Sequence, residues 1–389
     1  MKLVRTLILI LLAVLFPKSA DAQEAVVDTT HQKYSYAEMM EDIVGLRDRY
    51  QQYMSYEMRD TTYQGRVIPL IYFGNPEASR HIMIQAAMHA REYMSSQLVM
   101  AMLEHYLCQM EVATYAGKKL KDIFADICLV ILPMVNPDGV EIAQKGAAGA
   151  VTEDVRKWAR AQFMEGNEYD QIKANARGVD VNRNFKTGFG QDKYAKPSRN
   201  FYYYPGIKPY SEVETRLLMK VAREHLYTCF VNYHSKGNLI YYGSNAGSDE
   251  VNGAALRLTN IIRRQTGFKP IPPDKSPENG SWADDLEVFF NRPSATIEIG
   301  SKNPVPIEEF QKIYRRNLWV WADLAVNLHT ILPYGFSEKH IYPLAVVAKK
   351  INLKTIAKDM VYERNAEYGV AIKNITPEIT KKKKKKKKK

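Results

Sequence analysis

Cysteine is scarce, with three in 389 residues, and no pair stands at the spacing of a zinc ribbon. A disulfide scaffold is thereby excluded, and Cys108, Cys128 and Cys229, each set among apolar neighbours, read as buried thiols. A glycine-rich phosphate loop is missing and so is any internal repeat, which sets aside nucleotide-cradle and solenoid readings. Beyond residue 22 no apolar run approaches the roughly 20 residues needed to span a bilayer. Nor does the body carry a surplus of charge. The net +12 falls to about +1 once the nine lysines of 381–389 and the charged residues of 1–22 are set aside. The lysine run reads as a solvated tail, and without a basic stripe interleaved with aromatics no specific nucleic-acid partner is expected.

What is present is a chain long enough to bury one large core, 46% hydrophobic with ordinary glycine and proline usage. Its first residues, "MKLVRTLILILLAVLFPKSADAQ", place Lys2 and Arg5 before a short apolar stretch and an A-x-A site at Ala20-Asp21-Ala22. That is the pattern of a secretory signal peptide over 1–22, so export to a periplasm or the exterior is expected.

Further on, Ser35 with Glu38 forms a capping box ahead of an amphipathic helix. Two strands meet at Gln64-Gly65, and "HIMIQAAM", "DICLVILPMV", "CFVNYH" and "ATIEIG" read as strands separated by helices. A second capping box is expected at Ser211 and Glu214, and one long helix across "IEEFQKIYRRNLWVWADLAVNLH". Strands alternating with helices, several apolar on both faces, predict an α/β fold: a mixed, mostly parallel sheet covered by helices on both faces. We assign 23–330 to this domain, 331–380 to a small extension holding two or three strands, and 381–389 to the tail.

Chemistry concentrates in four places. In "HARE" an imidazole and a carboxylate, His89 and Glu92, stand three apart after an apolar strand, a spacing that lets both reach one ion. With eight histidines in the chain, one such match means little by itself. His234 ends another apolar strand, and the carboxyl ends of parallel strands are where α/β sites assemble. Glu298 sits near the end of "ATIEIG", where period-2 alternation sets it apart from Ile297 and Ile299. A lone glutamate among β-branched residues is expensive unless it is paired or functional, which suits a general base. In "RGVDVNRNF", Asn182 and Arg183 offer an amide and a planar guanidinium suited to gripping a carboxylate.

With "HARE", "PMVNPDGV", "GVDVNRNF", "YSEVET", "YHS" and "TIEIG" in this order, the chain resembles the zinc metallocarboxypeptidases of the carboxypeptidase A type over about residues 34–328. The resemblance implies a carboxypeptidase-like sandwich with one zinc ion held by His89, Glu92 and His234, and Glu298 as general base. It implies substrate contact by Arg91, and a grip on the substrate's terminal carboxylate by Asn182 and Arg183. The oxyanion-stabilising position falls on Lys173, with Arg177 as its rival. One departure stands out: the family's mobile tyrosine should precede "GSWADD", and residues 243–281 contain no tyrosine. "KANARGVDVNRNF" and "HSKGNLIYYG" look like the bacterial branch that cuts cell-wall peptides, the γ-D-glutamyl-diamino-acid peptidases. The implied partner is a peptide with a free carboxylate, either a murein peptide or an ordinary protein-derived one. A zinc- or peptide-binding protein without catalysis is the reading from another class.

Overall fold

The computed structural model describes residues 25–332 and 336, apart from 167 and 274–275. The signal-peptide, tail and appended-strand readings fall outside the described residues. Ser35 and Glu38 cap helix α1 (Tyr36–Arg49) reciprocally, as expected. Eight strands then build one sheet: β1 (Met54–Thr61), β2 (Val67–Gly74), β3 (Arg80–Ala86), β4 (Ile127–Leu132), β5 (Tyr227–His234), β6 (Leu239–Tyr242), β7 (Lys269–Ile271) and β8 (Ser294–Glu298). Their order is β1-β2-β4-β3-β5-β8-β6-β7. The neighbours β4/β3, β3/β5, β5/β8 and β6/β7 are parallel, and the other three pairs are antiparallel. The sheet is therefore mixed and mostly parallel.

Central strands covered on both sides must be apolar on both faces, and β4 is buried at every residue. Alternation sorts their side chains. Ile82, Ile84 and Val231 pack with α1, α2 (Met94–Gln109), α6 (Asp249–Thr266), α8 (Phe310–Asn317) and α9 (Val320–Asn327). Met83, Val130 and Phe230 face the opposite way, against α5 (Val213–Val221) and α7 (Trp282–Phe289). Two further helices, α3 (Pro137–Lys145) and α4 (Glu153–Met164), frame the loop that follows.

Three expectations change. Ser211 and Glu214 form no capping box, because α5 starts later, with Glu212 as its cap. The Ser211 hydroxyl instead donates to Glu212 and accepts from Asn184, while Glu214 is drawn inward towards Asn175. The single long C-terminal helix breaks at Trp319 (φ −95°, ψ 5°), whose ring stacks on Tyr115 at 5.6 Å. Cys128 and Cys229 are buried, but Cys108 is exposed beside the Tyr50 hydroxyl.

Candidate metal centre and active site

β3, β5 and β8 run parallel, so their carboxyl ends open on one side of the sheet. His89 is the last extended residue beyond β3, and the 3-10 turn Ala90–Glu92 folds Glu92 back beside it. The turn is pinned by Ala90 N–H and Arg91 N–H, which donate to the carbonyls of Lys173 and Ile172. Those bonds also bring Lys173 to the site. His234 closes β5, directly in register with Glu298 of β8.

His89, Glu92 and His234 are all buried, and their ligand atoms converge. Glu92 presents one oxygen to each ring, 2.8 Å from His89 Nδ1 and 2.8 Å from His234 Nδ1. The two Nδ1 atoms are 3.3 Å apart. Zinc–nitrogen bonds of about 2.0–2.1 Å in a tetrahedron require an edge of roughly that length. Two imidazole nitrogens and a carboxylate at this spacing fit zinc.

The outer ring nitrogens are also oriented. His89 Nε2 faces Asp180 Oδ1 at 3.2 Å, and the Gln85 carboxamide lies 3.4 Å from His234 Nε2. Such partners fix which nitrogen remains free for a metal. Burial alone would raise the Asp180 carboxyl, but the His89 charge, followed by Arg183 and Lys173, holds it well below the usual range. Glu92 follows the same logic. Burial opposes ionisation, and the two histidines overcome it.

Glu298 goes the other way. Burial, reinforced by the neighbouring Glu92 charge, pushes its carboxyl up to about 7 against the pull of His234, Lys173 and Arg91. A carboxylate poised there can take a proton near neutral pH. Glu298, His89 and His234 line a cavity of about 520 Å³, which Lys173, Asn182 and Arg183 also line.

Each remaining candidate has a definite place. Asn182 Oδ1 accepts from Trp282 N–H at 2.9 Å, and Arg183 is paired with Asp192 while its Nη1 donates to the Asn182 carbonyl. Arg91 lies beside Gln171, 3.4 Å from its carbonyl. Lys173 Nζ stands 5.1 Å from the centre of the Tyr203 ring, and Arg183 stands 5.6 Å from the same ring. Arg177 is elsewhere. It stacks over Tyr63, 3.8 Å from Glu212, in a separate 140 Å³ pocket.

Sequence reasoning passed over Asp180, Asp192 and Tyr203. Asp180 was legible as an acid three residues before Arg183 in the same motif. The other two carry no local signal.

The Peptidase_M14 zinc carboxypeptidase profile matches residues 39–317. The chain belongs to this family. Zinc is the family's metal, and the chemistry is that of a zinc peptidase. The chain is 27% identical over 294 residues to γ-D-glutamyl-L-diamino acid endopeptidase 1 of Lysinibacillus sphaericus, covering 75% of this chain and 72% of that protein. Over 220 residues it is 27% identical to carboxypeptidase B of Astacus astacus, covering 56% and 65%. Among solved structures it matches thrombin-activatable fibrinolysis inhibitor with TM-score 0.61 at 17% identity, over 80% of this chain and 79% of that one. It matches carboxypeptidase A of Helicoverpa armigera at 0.57 and 18%, over 80% and 76%. These likenesses bear on the fold. Among the described residues no helix is long and apolar enough to cross a membrane.

Proposed function

We propose that this chain hydrolyses an amide bond near the C-terminal carboxylate of a peptide, and that its substrate is a murein stem peptide cut beside a diamino acid. The observation that carries the hydrolytic reading is the convergence of His89, Glu92 and His234 on one point, with both histidines and Glu298 lining the same cavity. The murein assignment rests on the likeness to the γ-D-glutamyl-L-diamino acid endopeptidase.

Held by His89, Glu92 and His234, zinc would supply Lewis acidity and would let a water give up a proton at about pH 7. Glu298 accepts that proton and later returns it to the leaving amine. Arg183, with its neighbour Asn182, grips the substrate's carboxylate and sets the scissile bond over the donor set, turning an encounter into a near-attack geometry. Arg91 adds positive charge on the same side, as its effect on Glu298 indicates. Lys173 is the oxyanion partner. It lines the cavity and Arg177 does not.

The test is to incubate zinc-loaded protein with L-Ala-γ-D-Glu-diaminopimelate and with peptides ending in Arg, Leu or Phe, resolving products by mass. Cleavage confined to the tripeptide supports the proposal. Release of ordinary C-terminal residues alone replaces the murein reading with that of a general carboxypeptidase. Silence on all substrates with zinc bound favours a binding protein.

A further inference from the structure

We infer that Asp192 is a positioning residue for Arg183: it holds the guanidinium by Nε and leaves the Nη fork to meet the substrate's carboxylate. This rests on the grip by Arg183 proposed above and adds to it what fixes the geometry of that grip.

The two residues are brought together by a turn. Phe185 N–H donates to the Gly280 carbonyl and Gly280 N–H to that of Thr187, which ties the stretch after Arg183 to residues 278–280. Gly188 and Gly190 follow at positive φ, +72° and +73°. A Cβ at Gly188 would lie 2.2 Å from the carbonyl carbon of Glu278, so only glycine passes there. The chain doubles back and sets Asp192 against a guanidinium nine residues earlier.

Asp192 is anchored from its own side. Its Oδ1 accepts from Tyr194 N–H at 2.8 Å, and its Oδ2 accepts from Arg183 Nε. The side chains are only 8% and 14% exposed, so the pair is shielded from the water that weakens most surface ion pairs. Arg183 Nη1 also donates to the Asn182 carbonyl, and the Tyr203 ring centre lies 5.6 Å from Cζ. A long side chain with many rotamers is thus held in one before a substrate arrives, which lowers the entropy lost on binding. Of the five guanidinium N–H donors, Nε and one on Nη1 are engaged. The others, on Nη1 and Nη2, make a fork that can take a carboxylate through two bonds.

A carboxylate beside a site for an anion also repels that anion, and Asp192 lines the cavity with Arg183. Lys173 and Lys193 in the same lining offset its charge. The rival role for Asp192 is a stand-in for the substrate's carboxylate that must leave when substrate binds. Two observations oppose it: Asp192 is tied to its own loop through Tyr194 N–H, and it occupies Nε and not the fork.

The test uses zinc-loaded protein and L-Ala-γ-D-Glu-L-Lys with its terminal carboxylate free or amidated. Asparagine has one acceptor oxygen, so Asp192→Asn cannot serve Tyr194 N–H and Arg183 together. For the free acid the variant should raise KM about tenfold and keep kcat within a few-fold, because the carboxylate contact is made in ground and transition states alike. Calorimetry in the Glu298→Gln background should show acid favoured over amide about tenfold or more with Asp192 in place, and about twofold or less with Asn. A crystal structure of zinc-loaded Glu298→Gln with the acid bound needs no change at Asp192. It should show Asp192 still on Nε and the ligand's carboxylate on the Nη atoms. An undiminished acid-to-amide ratio in Asp192→Asn, a loss confined to kcat, or a ligand carboxylate in place of Asp192 overturns the inference and leaves the peptidase reading intact. Equal or undetectable binding of acid and amide with Asp192 in place denies the carboxylate grip itself, and the proposed function falls with the inference.

Discussion

At each end of the neighbouring strands β3 and β5 a histidine near one strand meets a histidine near the other, and the two pairs differ in what surrounds them. At the carboxyl ends, His89 and His234 stand with ring centres 4.9 Å apart, tilted by 67°, with Glu92 between them and Asp180 behind one ring. At the amino ends, His81 and His225 lie stacked at 4.0 Å, only 15° from parallel. No carboxylate lies between those rings, and burial holds both imidazoles below their ordinary value, His225 adding to this for His81. Stacked rings hold their lone pairs in nearly parallel planes, a poor arrangement for closing on one ion, and among the described residues only His89, Glu92 and His234 group as a candidate metal set. Proximity of two histidines is therefore not what makes a metal centre; an interposed acid and fixed outer nitrogens are.

The largest effect that sharpens this contrast is at the base beside the functional pair. Glu298→Gln should retain zinc and lower kcat by about 10² to 10⁴, measured by steady-state hydrolysis alongside metal content. Next comes the cation. Lys173→Ala should cost about 10² to 10³ in kcat, as removal of one oxyanion donor does, while Arg177→Ala should stay within a few-fold. An equal loss in both would return Arg177 to the reaction. Asp180→Asn keeps the shape but removes the charge behind His89, and zinc affinity should fall about 10- to 100-fold in competitive titration with a chelator. An unchanged affinity would erase the distinction drawn between the pairs.

The smallest effect belongs to the stacked pair. Because folding lowers both pKa values, the unfolded chain binds more protons, so stability is fully present above about 6.5, the ordinary histidine value, and falls as pH drops below it. His225→Phe should flatten that fall, by a few degrees in melting temperature between pH 7 and 5, with zinc content unchanged.

Much of this molecule was legible in the sequence because local rules and tertiary structure agreed. Ser35 and Glu38 cap α1 as their spacing requires, and the apolar runs "HIMIQAAM", "CFVNYH" and "ATIEIG" correspond to the strands, ending at Ala86, His234 and Glu298, that deliver the site. Where loops decide, spacing was silent. Lys173 and Arg177 are four residues apart, and only the folded turn separates them: the Asn175 side chain accepts from Arg177 N–H and Val179 N–H, steering Arg177 into its own pocket. Ser211 and Glu214 had the local pattern of a cap, yet a buried network with Asn184 and Asn175 claimed them. Asp192 looks like any acid in a loop until the turn that sets it against Arg183 is in view.

Although residues 243–281 contain no tyrosine, the cavity is lined by one from another segment. Tyr203 lines it with backbone φ at +62°, an unusual state for a bulky residue, and its N–H donates to Asp180. An aromatic ring is thus present beside Lys173 and Arg183, held in place through the acid that orients His89.

Anomalous diffraction at the zinc edge from crystals of the zinc-loaded protein tests the central claim most directly. The account predicts one zinc site per chain, about 2.0–2.2 Å from His89 Nδ1, His234 Nδ1 and the Glu92 carboxylate. Zinc bound instead through Nε2, seated at His81 and His225, or absent altogether would contradict it.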